Sequence, residues 1–236
     1  MSRPTGIEPG QSLAPGSSFL HIVPDDREGE LRTLRQAVAR IERELAGSRA
    51  RESEARHLAL HDSLTDLPNQ RFFRQCLETA LTPREETTQP LAILYIDLNG
   101  FKQINDTHGH PMGDRFLQIV AKRLHRSMRA EDMVCRLGGD EFGCLISGIT
   151  DRRRIGAVAT KIGAILGASV CIDGVRLKAD ASIGIALSPA DGTTVGDLIG
   201  HADAAMYRAK QCLTRYTFYR EDAVVAPRLP GVTRGI

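Results

Sequence analysis

The chain has 236 residues and a mass of 25.8 kDa, room for one domain of about 100–200 residues with appendages but not for two large ones. With 42% hydrophobic and 25% charged residues it is neither fibrous nor wholly disordered, and 31 Lys and Arg against 29 Asp and Glu, a formal +2, leave no concentrated basic charge for sequence-independent nucleic-acid binding. No uncharged apolar run reaches the roughly 18–20 residues of a membrane span, and Phe19–Val23 is too short an apolar cluster for a signal sequence, so the expected location is the cytoplasm.

Residues 1–24 carry Pro4, Pro9, Pro15 and Pro24 without a helical or strand period, and are expected to be disordered. A helical stalk is expected over 25–60. There Leu31, Leu34, Val38, Ile41 and Leu45 are spaced 3-4-3-4, the a/d stripe of a coiled coil, but Ser48, Glu52, Ala55 and Ala59 continue the register weakly. Two readings stay open on periodicity alone: a stalk that pairs two chains, and an amphipathic helix covered by its own domain. A domain over 61–220 follows, and 221–236 is expected to be a flexible tail. Within the domain, 62–69 reads as a turn-rich opening, 70–81 as a helix, 83–90 as a loop, and 91–98 as a continuous apolar run suited to a buried central strand. Phe116, Ile119, Val120 and Leu124 show helical spacing. Residues 133–137 and 142–146 form an expected β-hairpin around the Gly-bearing turn 138–141. A helix near 154–167, one or two strands over 175–187, a helix over 195–210 and a short strand over 216–219 complete an α+β sheet backed by helices. Cys76, Cys135, Cys144, Cys171 and Cys212 form no CxxC pair and read as small buried hydrophobes.

Two acidic features carry chemistry: Asp97 at the end of the apolar strand, and the pair Asp140–Glu141 at the hairpin tip. Carboxylates at strand ends and turns are the hard oxygen ligands that Mg²⁺ prefers when it also holds substrate phosphates, although Gly-Gly-Asp is also a good hairpin turn on conformational grounds.

Gly138-Gly139-Asp140-Glu141-Phe142 spells the signature of the GGDEF family of diguanylate cyclases. The resemblance extends through Asp62-Ser63-Leu64-Thr65-Asp66-Leu67-Pro68-Asn69, the run from Asp97 to Asp106, His108-Gly109-His110, Gly113-Asp114, Ser182-Ile183-Gly184-Ile185-Ala186 and the run from Ala202 to Lys210. It implies a ferredoxin-like fold, akin to nucleotide cyclases and polymerase palms, that joins two GTP into cyclic di-GMP with release of pyrophosphate. By the same resemblance, Asp97, the Leu98 carbonyl, Asp140 and Glu141 would hold Mg²⁺, with Mn²⁺ able to substitute, and Asp140 would take the proton from the ribose 3′-hydroxyl. Lys102 and Lys210 would offset phosphate charge. Phe101, Gly138, Gly139, Asn105, His110 and Asp114 would line the nucleotide site. A carboxylate only accepts, so Asp114 suits the two N–H donors of guanine, and it could equally be a helix N-cap after Gly113. Arg129 and Asp132 match an RxxD site through which product inhibits, unless Arg129 is simply a cation in the last turn of a helix.

Three departures stand out: Asn99 where the family often has Asp, Asp66 and Gln70 in the opening, and Thr214 where a phosphate-binding arginine is usual, with Arg215 as a possible replacement. The expected assembly is a homodimer, with a regulatory protein acting on the N-terminal helix as in cyclases that carry only such a stalk. The competing reading is a catalytically weak or inactive module that binds cyclic di-GMP or GTP and signals through that helix.

Overall fold

The structure is a computed structural model that describes residues 27–82, 90–149 and 151–220. The readings for 1–24 and 221–236, the first two stalk residues and most of the 83–90 loop lie outside the described residues.

Helix α1 runs over Arg27–Leu60 and buries none of its residues. Leu31, Leu34, Val38, Ile41 and Leu45 are all exposed. The chain divides into two units after Glu52, so the last turns of α1 belong with the domain.

The domain is built on a five-stranded sheet in the order β2-β3-β1-β6-β7. The strands are β1 (Leu91–Asn99), β2 (Met133–Gly138), β3 (Glu141–Ser147), β6 (Asp180–Ser188) and β7 (Tyr216–Phe218). All pairings are antiparallel except β6 with β7. The core β2-β3-β1-β6 order, with helices in the crossovers, is the ferredoxin-like arrangement the sequence implies, and β7 extends it in parallel after a helical crossover.

β1 reads as unbroken apolar sequence because both of its faces are covered. Ala92, Leu94, Ile96 and Leu98 enter one core with Phe116, Val120 and Leu124 of α4 (His110–Ser127) and Ile155, Ala159 and Ile162 of α5 (Arg152–Leu166). Leu91 and Ile93 enter the other, with Phe73 and Leu77 of α2 (Gln70–Leu81) and Leu198 and Ala202 of α6 (Val195–Gln211). Period-2 alternation therefore sends Asp97 to the α6 side. Asn69, Asp151 and Thr194 cap α2, α5 and α6, each accepting a backbone N–H of the first turn. Gly184 lets α6 lie directly on β6, since a Cβ there would collide with the Ala202 carbonyl and the Met206 amide.

The structure adds two elements to the expected set. Helix α3 (Phe101–His108) has only Phe101 and Ile104 buried, too few apolar positions to register as a period. Strand β4 (Val170–Ile172) forms a separate hairpin with β5 (Val175–Leu177). Two of the cysteines are corrected: Cys171 and Cys212 are exposed, whereas Cys135 and Cys144 are buried and Cys76 partly so. Burial pushes the Cys144 thiol up to about 12 and holds Cys135 well above the ordinary thiol range, so neither is a nucleophile at neutral pH. Among the described residues no helix is long and apolar enough to cross a membrane.

Candidate active site

The antiparallel register places Asp97 directly opposite Glu141 on one side and Ser182 on the other, at the end of the sheet where α3 begins and α6 finishes. Asp97 is only 7% exposed, and its Oδ1 accepts a 2.7 Å hydrogen bond from Lys210 Nζ in the last turn of α6. Two strand neighbours add to the group. Tyr95, two residues before Asp97 on the same face, donates to Glu141 Oε2 at 2.9 Å. Burial first, and then this hydrogen bond to Glu141, raises the Tyr95 phenol, so it stays a donor. Asn99 Nδ2 donates to Ser182 Oγ at 2.9 Å, tying the departure from the usual acid into the sheet.

Asp140 is half-buried, and its backbone carbonyl accepts from the Leu98 amide at 3.3 Å. Desolvation by burial is the main cause that lifts its carboxyl above the usual range, with the negative charge of Asp97 adding to it. Gly139 closes the hairpin at φ +52°, the left-handed region where a side chain is strained. Its carbonyl accepts from Arg136 Nε at 3.0 Å and Nη2 at 2.8 Å, while Arg136 Nη1 donates to Asp62 Oδ1 at 2.9 Å. Burial raises the Asp62 carboxyl, but hydrogen bonds from Thr65 and Arg136 outweigh it and hold it below the usual range. Asn69 joins the same opening segment to the end of α1, its side chain donating to the Ala59 carbonyl at 3.0 Å.

The remaining sequence-selected residues lie on α3, α4 and the loop after α4. Phe101 is buried and Lys102 exposed at the start of α3. Asn105 lies against Gly113 so closely that a Cβ on Gly113 would collide with its side chain, and Asn105 Oδ1 is buried without a hydrogen-bond partner. His110 and Asp114 are exposed. Asp114 is not the helix cap that its position after Gly113 suggests: α4 starts at His110 with Gly109 as its cap, which puts Asp114 inside the second turn. Arg129 is not in the last turn of a helix either. It follows the Met128 C-cap, in a loop where its amide donates to Asp132 Oδ2 at 3.3 Å, leaving Asp132 Oδ1 buried and unpartnered.

At the end of α6, Thr214 is buried with its hydroxyl against the Ala209 carbonyl and Thr217 Oγ1. Arg215 does not stand in for the missing arginine. Its stem lies across Gly163 of α5, on the sheet face opposite to Asp97. Sequence reasoning missed Tyr95 and Arg136. The alternation Tyr95–Asp97 within one strand, and an arginine two residues ahead of the Gly-Gly turn, were the signals available.

Among the described residues no three His, Cys, Asp or Glu side chains form a ready-made metal cluster. The donor set nevertheless suits a hard cation that shares its coordination with substrate and water: Asp97 and Asp140 repel each other, Glu141 faces Asp97 across the strands, and an ammonium already sits on Asp97.

A family model described as "Diguanylate cyclase, GGDEF domain" matches residues 59–214. The chain belongs to the GGDEF family. The bifunctional diguanylate cyclase/cyclic di-GMP phosphodiesterase MucR of Pseudomonas aeruginosa is 39% identical over 202 residues, covering 85% of this chain and 28% of MucR. The diguanylate cyclase TpbB of the same species is 38% identical over 198 residues, 82% of this chain and 46% of TpbB. The chain thus spans less than half the length of these GGDEF relatives. The solved GGDEF domain of TpbB superposes with a TM-score of 0.64 at 39% identity, over 68% of this chain and 94% of that one. Diguanylate cyclase SiaD of P. aeruginosa, solved with its activator SiaC, gives a TM-score of 0.62 at 28% identity, over 78% of this chain and 71% of that one.

Proposed function

We propose that this GGDEF protein is a diguanylate cyclase that condenses two GTP into cyclic di-GMP and two pyrophosphates. The observation that carries the reading is the meeting of Asp97, Asp140, Glu141 and Lys210 at one end of the sheet, on the turn that bears the family signature. In each half-reaction a ribose 3′-hydroxyl oxygen bonds to the α-phosphorus of the other nucleotide, the bond to the pyrophosphate oxygen breaks, and the hydroxyl proton leaves to a base. Asp140 is that base in this reading, because a carboxyl with raised proton affinity accepts a proton more readily. Asp97, the Leu98 carbonyl, Asp140 and Glu141 are the groups that would hold Mg²⁺ or Mn²⁺. The bound metal would neutralise triphosphate charge and acidify the 3′-hydroxyl. Lys102 and Lys210 offset phosphate charge, and Lys210 exchanges its bond to Asp97 for a phosphate oxygen.

Guanine is read by Asp114, which can accept from both of its Watson–Crick N–H donors but meets an acceptor on adenine. Phe101, His110 and the orphaned acceptor of Asn105 complete that wall, and Gly138 and Gly139 leave room over the turn for the nucleotide. The second orphaned acceptor, Asp132 Oδ1, lies beside Arg129, which supports a product-binding role for this loop.

One domain holds one GTP and the product holds two, so two domains face each other across a twofold axis. The exposed apolar stripe of α1 is the surface proposed to pair the chains. SiaD, solved in complex with its activator, supports a protein activator for this chain as well, and α1 is the surface assigned to it in this reading.

Purified protein incubated with GTP and Mg²⁺ is expected to yield cyclic di-GMP and pyrophosphate, resolved by ion-exchange chromatography. Unchanged GTP at every protein concentration, with or without a clamped stalk, would return the chain to a nucleotide-binding module.

A further inference from the structure

The last turn of α1 is capped by the segment that follows it. A helix leaves its final carbonyls without intrahelical donors, and here the opening segment supplies them. The Asn69 amide donates to the Leu60 carbonyl at 2.9 Å, and the Asn69 side chain donates to the Ala59 carbonyl at 3.0 Å. His61 donates from Nδ1 to the His57 carbonyl at 3.1 Å, and its ring stacks on the His57 ring with centroids 4.0 Å apart.

His57 itself reaches the opening turn. Its Nε2 lies 2.7 Å from Asp66 Oδ1, and because a carboxylate only accepts, the ring is the donor. Asp66 stands at φ +59°, in the left-handed region that Gly enters without strain. Turn geometry alone would favour Gly there, so the carboxylate on His57 is a feature that the turn does not ask for.

From Asp66 a run of contacts leads to the signature turn. The Asp66 amide donates to the Asp62 carbonyl at 2.9 Å, and the Asp62 carboxylate accepts from Arg136 Nη1. Arg136 in turn holds the Gly139 carbonyl, directly before Asp140. The Arg136 amide fastens the same segment a second time, donating to the Pro68 carbonyl at 2.9 Å. The end of α1 and the turn that carries the proposed base are therefore joined through the opening segment.

We propose that the His57–Asp66 contact is a clasp through which α1 regulates the site. Closed, it fastens the last turn of α1 to the opening turn, and Asp62 and Arg136 carry that constraint to the Gly139 carbonyl. This regulation rests on the cyclase reading. Both side chains are largely exposed, 50% for His57 and 80% for Asp66, so the clasp opens without disturbing the core. A contact can shift an equilibrium only by its own strength, and for an exposed pair that is about fivefold at most. The clasp is accordingly a modulator of the rate and not an on–off gate.

The test compares Asp66→Gly, which removes the carboxylate and suits the backbone better, with Asp66→Asn, which keeps an acceptor and tolerates the same conformation. In the full chain, amide hydrogen exchange over residues 53–60, read by mass spectrometry, is expected to quicken about threefold in Asp66→Gly and less than about 1.5-fold in Asp66→Asn. The initial rate of cyclic di-GMP formation is expected to fall about threefold in Asp66→Gly and to be largely kept in Asp66→Asn. A merely structural role predicts the reverse order, since Gly relieves the left-handed strain. Added to Leu34→Asp/Ile41→Asp, at a protein concentration where that background turns over, Asp66→Gly is expected to change the rate no further, because α1 then has no paired state to pass on. Equal exchange in parent and Asp66→Gly overturns the clasp. An unchanged rate in the full chain, or the same loss in both backgrounds, overturns its regulatory role. A parent that leaves GTP unchanged overturns the cyclase reading instead, and hydrogen exchange then still judges the contact by itself.

Discussion

Asp140 stands in tension between folding and proposed function. Burial and the nearby Asp97 charge raise its folded-state pKa above the unfolded value, so the charged form is disfavoured in the fold. Stability is therefore lost as pH rises from the unfolded pKa through the folded one. Asp140→Asn, which mimics the protonated carboxyl, is expected to be more stable than the parent at neutral pH in EDTA, with the gain shrinking as pH falls into the carboxylate range. The same change is expected to lower cyclic di-GMP formation about 100-fold or more, the scale of a lost general base. Urea titrations at a series of pH values check the first outcome and initial rates the second. Arg136 acts differently, since it is only 12% exposed and joins Asp62 to the Gly139 carbonyl. Arg136→Ala leaves the partly buried Asp62 carboxylate with only its two Thr65 hydrogen bonds and the Gly139 carbonyl without its donors, and is expected to cost about 2 kcal/mol in chemical denaturation. Arg136→Lys is expected to recover little of it, because one ammonium cannot bridge both acceptors.

Between elements, the decisive contact is α6 on the sheet. Lys210 reaches Asp97 because the helix backbone sits directly on Gly184, where β6 presents no side chain. Gly184→Ala is expected to cost at least about 3 kcal/mol, the upper end of the range for overpacked cores, measured as a lower urea midpoint with an unchanged slope. Any protein that still folds is expected to lose GTP affinity as well, since lifting α6 withdraws Lys210 from the end of β1. The single-residue joint at Gly109, cap of both α3 and α4, has a comparable effect on the other side of the site. It turns the chain so that Asn105 meets Gly113.

For the whole molecule, the proposed reaction makes activity a property of chain pairing. The stripe Leu31, Leu34, Val38, Ile41, Leu45 is exposed but covers only about two heptads, fewer than a secure coiled coil needs. Removing residues 1–46, or combining Leu34→Asp with Ile41→Asp, is expected to lower specific activity about 100-fold at low protein concentration, with partial recovery on concentration, as loss of effective concentration predicts. Rates measured across a dilution series check this. A truncated protein with high, concentration-independent activity would mean that the domains pair without the stalk.

The linear sequence by itself determined the α+β class, the position of the central strand, the hairpin with its acidic tip, the α2 boundaries and the family, because these rest on local periodicity, turn chemistry and a contiguous motif. It also picked out Asp97, Asp140, Glu141 and Lys210, residues far apart along the chain. Only the tertiary structure decided which of them meet. The β1–β3 register sets Glu141 opposite Asp97, and the approach of α6 at Gly184 delivers Lys210. Helix α3 escaped notice because eight residues with two buried positions carry too little pattern. The alternative readings of Asp114 as an N-cap and of Arg129 as a last-turn cation do not hold, because the helix ends are set by the Gly109 joint and the Met128 cap rather than by propensity. Tyr95 and Arg136 had no motif to mark them, since their partners, Glu141, Asp62 and the Gly139 carbonyl, become neighbours only when the strands pair and the opening segment docks on β2. Side-chain contacts between strands are nonlocal, and periodicity reads only what is local.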